Sequence, residues 1–282
     1  MRRLLWLNAT LLAAVAALAL LAYFKPAGPA REYALSALAP SQVKTIRIER
    51  PGMEPIRIEK RGEDWFVSAP FAARAEAFAV QRLLEIAQAK SAHRLEAARL
   101  ERFGLDPPEA RLVLDGERFD FGLVNPLSHE QYVLAAGAVY TVSPRYGTAL
   151  PASAAELASR RLFAASEALV RIELRDFVVE KYAGRWRLAG ASGGESSQDD
   201  LIRWVEDWRG ALALRVTPFS GGRAQERVGI VLEDGRRFAL SILAREPELV
   251  LVRPDENLQY HFFAGRAQRL LAPPGSEPRE KP

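Results

Sequence analysis

One order of elements occurs twice in this chain, about 120 residues apart, and a duplicated unit restricts the available folds more than any composition does. "TIRIE" is answered by "LVRIEL", "KRGEDWFV" by "KYAGRWRL" and "VQRLLEIA" by "LIRWVEDW", so Trp65 corresponds to Trp186. Farther on, "ARLVLDGERFDF" is answered by "GIVLEDGRRFAL". Whatever one unit folds into, the other is expected to repeat.

Within the unit, "VKTIRIERPGMEPIRIEKRGEDWFVSAP" alternates apolar and polar residues with the period of half-buried strands and predicts three short antiparallel strands. In "VQRLLEIAQAK", Val80, Leu83, Leu84 and Ala87 fall at i, i+3, i+4 and i+7, the apolar stripe of a helix. Leu201, Trp204, Val205 and Trp208 occupy the same positions in the second unit. Two alternating strands follow in each unit, joined by Asp115-Gly116 or Asp234-Gly235, and Asp-Gly supplies the positive φ of tight hairpins. A further hairpin comes next, "QYVLAAGAVYTV" or "ELVLVRPDENLQYHFF". A helical stretch closes each unit, "SAAELASRRLF" in the first and "AGRAQRLLA" in the second. Few crossovers suited to parallel strands separate these pieces, so the expected class is α+β: two tandem, internally duplicated modules of antiparallel strands with one packed amphipathic helix each.

Ahead of the modules, Met1-Arg2-Arg3 precedes Leu4 to Phe24, in which Asn8 and Thr10 are the polar interruptions. As a helix this run matches the roughly 30 Å hydrocarbon core, and Trp6 and Tyr23-Phe24 stand where interfacial anchors stand. A transmembrane helix is the expectation, with a cleaved signal as the competing reading. Arg2 and Arg3 would keep the N-terminus cytoplasmic and place the rest outside, in the periplasm of a two-membrane cell. The expected organisation is an anchor over 1–25, a linker over 26–42, modules over 43–166 and 167–272, and a flexible tail over 273–282.

No cysteine occurs, which excludes disulfides, a thiol nucleophile, lipoprotein attachment and cysteine metal sites. A net charge of +4 with both signs interspersed argues against nucleic acid. "GASGG" places Ser192 in the Gly-x-Ser-x-Gly pattern of the hydrolase nucleophile elbow, and Asp255 and His261 follow in the order Ser, Asp, His. The elbow, however, needs a tight strand-to-helix turn. Here "GESSQDD" intervenes, Ser197 with Asp200 reads as a helix N-cap, and Asp199-Asp200 read as acidic residues meeting the helix dipole. A flexible loop is therefore expected at Ser192. Ser41-x-x-Lys44 lacks the companion motifs of penicillin-recognising enzymes. His93, His129 and His261 have no partner at metal-ligand spacing.

Trp204 and Trp208 suit either a sugar-stacking platform or the core, and the stripe they share with Leu83 and Ala87 favours the core; Trp65 and Trp186 are expected there too. Glu49, Glu59, Asp120 and Glu173 are expected on water-facing strand positions. Arg82 with Glu85, and Arg203 with Glu206, are expected as surface pairs along a helix. No catalytic, cofactor-binding or metal-ligating residue is assigned.

Between the first helix and its hairpin lies "LERFGLDPPEARLVL", where Gly104 is placed to end a short helix in a left-handed cap and Pro107-Pro108 forces an extended exit. "DWFVSAP", the amphipathic helix, "FGLDPP", "FGLVNP" and "QYVLAAGAVYTV", in that order, resemble the bacterial domain-of-unknown-function family 4340 over about residues 60–165, and more loosely over the second copy, which has "FSGGRAQERVG" instead of the "GLDPP" element. The resemblance implies an exported or membrane-anchored protein without assigned chemistry, with an ABC-type transport complex among its implied partners. The expected function is a non-catalytic, single-pass scaffold or docking protein of the inner membrane with a partner in the cell envelope. A glycan or envelope-ligand binding module is the alternative, and a serine hydrolase the third reading.

Overall fold

The computed structural model describes residues 2–23, 32–190 and 196–276. After α1 (Arg2–Tyr23) come β1 (Tyr33–Ala34), β2 (Thr45–Glu49), β3 (Ile56–Arg61), β4 (Asp64–Ala69), β5 (Ala73–Arg74), α2 (Ala77–Leu84), β6 (Lys90–Ser91) and β7 (Arg94–Glu96). β8 (Ala110–Leu114), β9 (Glu117–Val124), β10 (Gln131–Ala135), β11 (Ala138–Val142) and a single turn, α3 (Arg145–Thr148), complete the first part. The second part runs β12 (Leu169–Glu173), β13 (Phe177–Tyr182), β14 (Arg185–Gly190), α4 (Gln198–Arg209), β15 (Arg215–Pro218), β16 (Glu226–Leu232), β17 (Arg237–Ala244), β18 (Glu248–Arg253), β19 (Leu258–Phe263) and α5 (Ala264–Leu271).

Strand order is β5-β4-β3-β2-β8-β9-β10-β11-β7 in one sheet and β14-β13-β12-β16-β17-β18-β19-β15 in the other, with β1 and β6 forming a two-stranded ribbon. From β4 and β14 onward the two orders coincide strand for strand, down to β7 and β15, each of which follows the helix and pairs with the last hairpin strand. All these pairings are antiparallel. Ile46, Ile48 and Ile58 from the first sheet, and Ile172, Val179 and Ile230 from the second, line one face of their strands and are buried. Val80, Leu83, Leu84 and Ala87 of the first helical segment, and Leu201, Trp204, Val205 and Trp208 of α4, close over those faces. Each such side chain removed from water contributes about 1.5–3 kcal/mol, which is what holds a short helix on its sheet.

Two expectations are corrected. The class is mostly β, three antiparallel sheets with few helices, and not α+β. β5 and β7, two and three residues long, are too short to show a period of two yet widen the first sheet, and the equally short β1 and β6 add a ribbon of their own. "SAAELASRRLF" forms only a 3₁₀ turn at Ala154–Glu156 followed by bridges at Ala158 and Arg161. The transmembrane helix is corrected as well. Arg2–Tyr23 is helical, but among the described residues no helix is long and apolar enough to cross a membrane.

Candidate functional site

The most enclosed polar cluster lies where the two sheets meet. Arg253, at the end of β18, donates from Nη1 to Glu167 Oε2 at 2.8 Å, from Nη2 to Glu167 Oε1 at 2.5 Å, and from Nη1 to the Leu162 carbonyl at 2.7 Å. Its Nε and Nη2 reach the Asp255 carboxylate at 3.1 and 3.0 Å, and its guanidinium lies 4.6 Å from the centre of the Phe238 ring. Arg74, brought by β5 of the first sheet, donates to Glu256 Oε1 at 2.7 Å, to the Arg161 carbonyl at 2.8 Å and to the Tyr260 hydroxyl at 3.0 Å. Tyr260 in turn donates to Glu256. A guanidinium offers five donors in a planar fork, so each arginine satisfies backbone carbonyls and carboxylates from both parts of the chain at once.

Burial alone would raise the pKa of Glu167, but the hydrogen bonds from Arg253 and from the Ala164 amide outweigh it and hold the carboxyl below its ordinary range. Burial, reinforced by the Glu256 charge, pushes the Tyr260 phenol above its ordinary value. Despite its burial, the hydrogen bonds that Arg253 donates to Glu167 and Asp255 push its pKa up, and Arg74 is raised as well. The cluster thus presents an ionised carboxylate saturated with donors, a phenol that keeps its proton, and cations that keep theirs. Its bonds tie residues of the first part of the chain to residues of the second.

A groove of about 1290 Å³ runs between α4 and α5, lined by Asp200, Arg203, Asp207, Arg245 and Arg269 and closed by the Pro273–Ser276 stretch. Trp204 also lines the groove and Trp208 lies beneath it; both are buried, with their indole N–H groups bonded to the Ala272 and Leu270 carbonyls at 2.9 and 3.0 Å. The two rings meet edge to face, 6.0 Å apart. Both are packed into the core. Trp65 and Trp186 are half-buried against the same core.

Ser192 lies outside the described residues. Ser197 caps α4: its hydroxyl accepts the Asp200 amide while the Asp200 carboxylate accepts the Ser197 amide. Asp255 is engaged by Arg253, whereas the His261 ring contacts Glu248, Thr217 and Arg215 at 3.1–3.2 Å. The ring of His93 contacts Thr141 at 3.3 Å, and His129 sits in a loop at φ 58°. Among the described residues no group of three His, Asp or Glu could hold a metal ion. Ser41 stands in a 3₁₀ turn, and the Lys44 amide donates to the Asp115 carboxylate.

Two surface expectations fail. Asp120 is enclosed, its carboxylate gripped by Arg111 at 2.7 Å and by Arg118, and Glu49 joins the same network through Arg111 at 3.1 Å. Alternation assigned Asp120 to water, but the long arginine stems fold over it. Along the helices, Glu85 faces Arg145, Arg203 faces Asp200, and Glu206 faces Arg209, so neither expected arginine–glutamate pair forms.

"FGLDPP" has a mechanical role. Gly104 ends a 3₁₀ turn at φ 64°, and Phe103 and Leu105 join Val139, Tyr132 and Leu134 in a small apolar cluster on the outer side of the first sheet. Sequence reasoning found none of the members of the Arg74–Arg253 cluster except Asp255, because they are distant in the chain and carry no motif.

A family model described as "Domain of unknown function (DUF4340)" matches residues 65–208, just over half of the chain. The match begins at the tryptophan of β4 and ends at the last tryptophan of α4, and therefore runs across the junction. No curated protein and no solved structure matches.

Proposed function

We infer that this chain, which belongs to the domain-of-unknown-function family 4340, is a non-catalytic docking module that holds a protein partner in the cell envelope. The observation that carries the reading is the junction clamp: Arg74 and Arg253 tie together two parts of one strand order, Arg74 through Glu256 and Arg253 through the Leu162 carbonyl. Such bracing gives a rigid platform with an extended surface, which is what a docking protein needs. Exposed apolar side chains support association as well. Leu11, Leu12, Val15 and Leu18 of α1 and Leu127 beside "FGLVNP" have no cover among the described residues.

An extracytoplasmic location is part of the proposal, as is a transport complex as the partner, the assembly that the family resemblance implies. The test is capture of the full chain from native membranes after chemical crosslinking. Crosslinks from one envelope protein to a single surface of this chain are expected. Turnover of envelope-derived substrates by the purified chain would overturn the non-catalytic reading, and a reporter fused after Pro282 that is active in the cytoplasm would overturn the location.

A further inference from the structure

The two sheets differ at one edge. In the first, β5 lies along β4, pairing Phe66 with Arg74 and Val67 with Ala73, and the Ala75 amide donates to the Trp65 carbonyl at 2.8 Å. In the second, β14 is the end strand of its sheet. The counterpart of Trp65 is Trp186, and there a side chain stands where a strand would be: the Gln198 amide accepts from the Trp186 N–H at 3.3 Å and donates to the Trp186 carbonyl. One glutamine thus replaces one rung of a missing strand.

Antiparallel strands direct their backbone groups outward at every second residue, so those of Leu188 point the same way as those of Trp186. Among the described residues nothing bonds them. Side chains alternate on the same period. Arg185 and Arg187 project to the solvent face, both are exposed, and neither has an acidic partner among the described residues. The neighbouring carboxylate, Glu180, is taken by Arg171, and Arg187 rests on the Tyr182 ring at 4.8 Å. On the other face Trp186 and Leu188 are half-buried. Ile202 lies one helical turn beyond Gln198 on the same side of α4 and is 46% exposed. In the first unit, where β5 closes the edge, the equivalent position is Gln81. The isoleucine thus appears on the copy whose edge is open.

We propose that β14 is a strand-addition site: an extended segment of a partner protein displaces the Gln198 side chain and pairs with the outer edge, acidic side chains at alternate positions meeting Arg185 and Arg187 and apolar ones between them meeting Trp186, Leu188 and Ile202. Backbone bonding supplies affinity in such augmentation and the alternating side chains supply selection. Self-pairing of two β14 edges is disfavoured, because it brings rows of arginine together. The inference rests on the docking reading and names the partner's chemistry.

The experiment uses the full chain and two fluorescent octapeptides, one alternating Glu and Val and one alternating Lys and Val, followed by anisotropy. The Glu–Val peptide is expected to saturate, to bind at least tenfold more tightly than the Lys–Val peptide, and to slow hydrogen exchange at the Leu188 amide. The R185E/R187E variant should reverse the preference, a gain of binding that an unfolded variant could not show. Ile202→Gln should weaken the Glu–Val peptide with the fold intact by circular dichroism. Equal binding of both peptides, an unmoved preference in R185E/R187E, unchanged exchange at Leu188, or dimerisation through this edge would overturn the proposal. If the peptides fail while native crosslinks map to another surface, the edge is wrong and the docking reading stands. If the peptides bind as described but no envelope partner is recovered, the edge stands and the docking reading falls.

Discussion

Arg253 and Glu167 face each other beside the junction through two parallel N–H···O bonds of 2.5 and 2.8 Å, with side chains only 2% and 5% exposed. Removing one partner strands the other as a buried charge. Arg253→Ala is therefore expected to cost about 3–5 kcal/mol in urea unfolding of the full chain. Replacing both, as Arg253→Met with Glu167→Leu, should cost less than either single change, since the charges that lose a partner, Asp255 and Arg236, are both partly exposed. A double variant that is worse than the sum of the singles would show that the pair contributes more than its own desolvation.

Stability should fall with acid in a defined window. The folded pKa values of Glu167, Asp120, Asp115 and Glu49 are all lowered, in Asp120 because hydrogen bonds from Arg118 and Arg111 overcome its burial. The unfolded chain then binds protons that the folded one refuses. The stabilisation is complete above the ordinary carboxylate values of about 4 and disappears as pH drops through the lower folded values. Asp120→Asn should flatten part of that slope in urea midpoints taken across the acid range. Tyr260 works on the alkaline side. Its folded pKa is raised, so its contribution is present below the ordinary phenol value of about 10 and is lost above it, and Tyr260→Phe should remove that loss.

Gly122 and Gly104 let the "FGLDPP" turn lie against β9. A methyl group at Gly122 would come 2.2 Å from the Phe103 carbonyl oxygen, and one at Gly104 would meet the Leu123 side chain at 2.5 Å and its amide at 3.1 Å. Backbone cannot step aside as a side chain can. Gly122→Ala should destabilise by about 1–3 kcal/mol. Gly265, in the first turn of α5 with open space around it, is the control: Gly265→Ala should stabilise by about 0.5–1 kcal/mol. Thermal unfolding of the two variants separates a steric requirement from a general dislike of alanine.

What the sequence disclosed was what repeats at short range. Strands β2 to β4, the stripe Val80-Leu83-Leu84-Ala87 and the left-handed cap at Gly104 follow from period and turn chemistry within a dozen residues. β7 and β15 were invisible because three or four residues carry no usable alternation and their strand character comes from pairing with β11 and β19. Asp120 misled for a related reason, since its enclosure depends on Arg111 from the neighbouring strand. The same holds for the edge at β14. Trp186, Gln198 and Ile202 are unremarkable singly, and their relation is legible only beside the first unit, where β5 fills the place that Gln198 takes.

Ser197 tests how far the start of α4 depends on its cap. Its hydroxyl accepts the Asp200 amide at 3.2 Å, and Asp200 returns the bond to the Ser197 amide at 3.3 Å, so two donors left orphaned by the helix start are satisfied reciprocally. Ser197→Ala should cost about 1 kcal/mol, and Ser197→Gly only a few tenths, because glycine leaves room for water at the exposed amides. Gln198 follows immediately, and a frayed first turn would move its amide away from Trp186. Hydrogen exchange at the Trp186 amide should therefore quicken in Ser197→Ala as the helix loosens. An unchanged Trp186 amide in a destabilised variant would show that Gln198 holds its place on the strand independently of the cap.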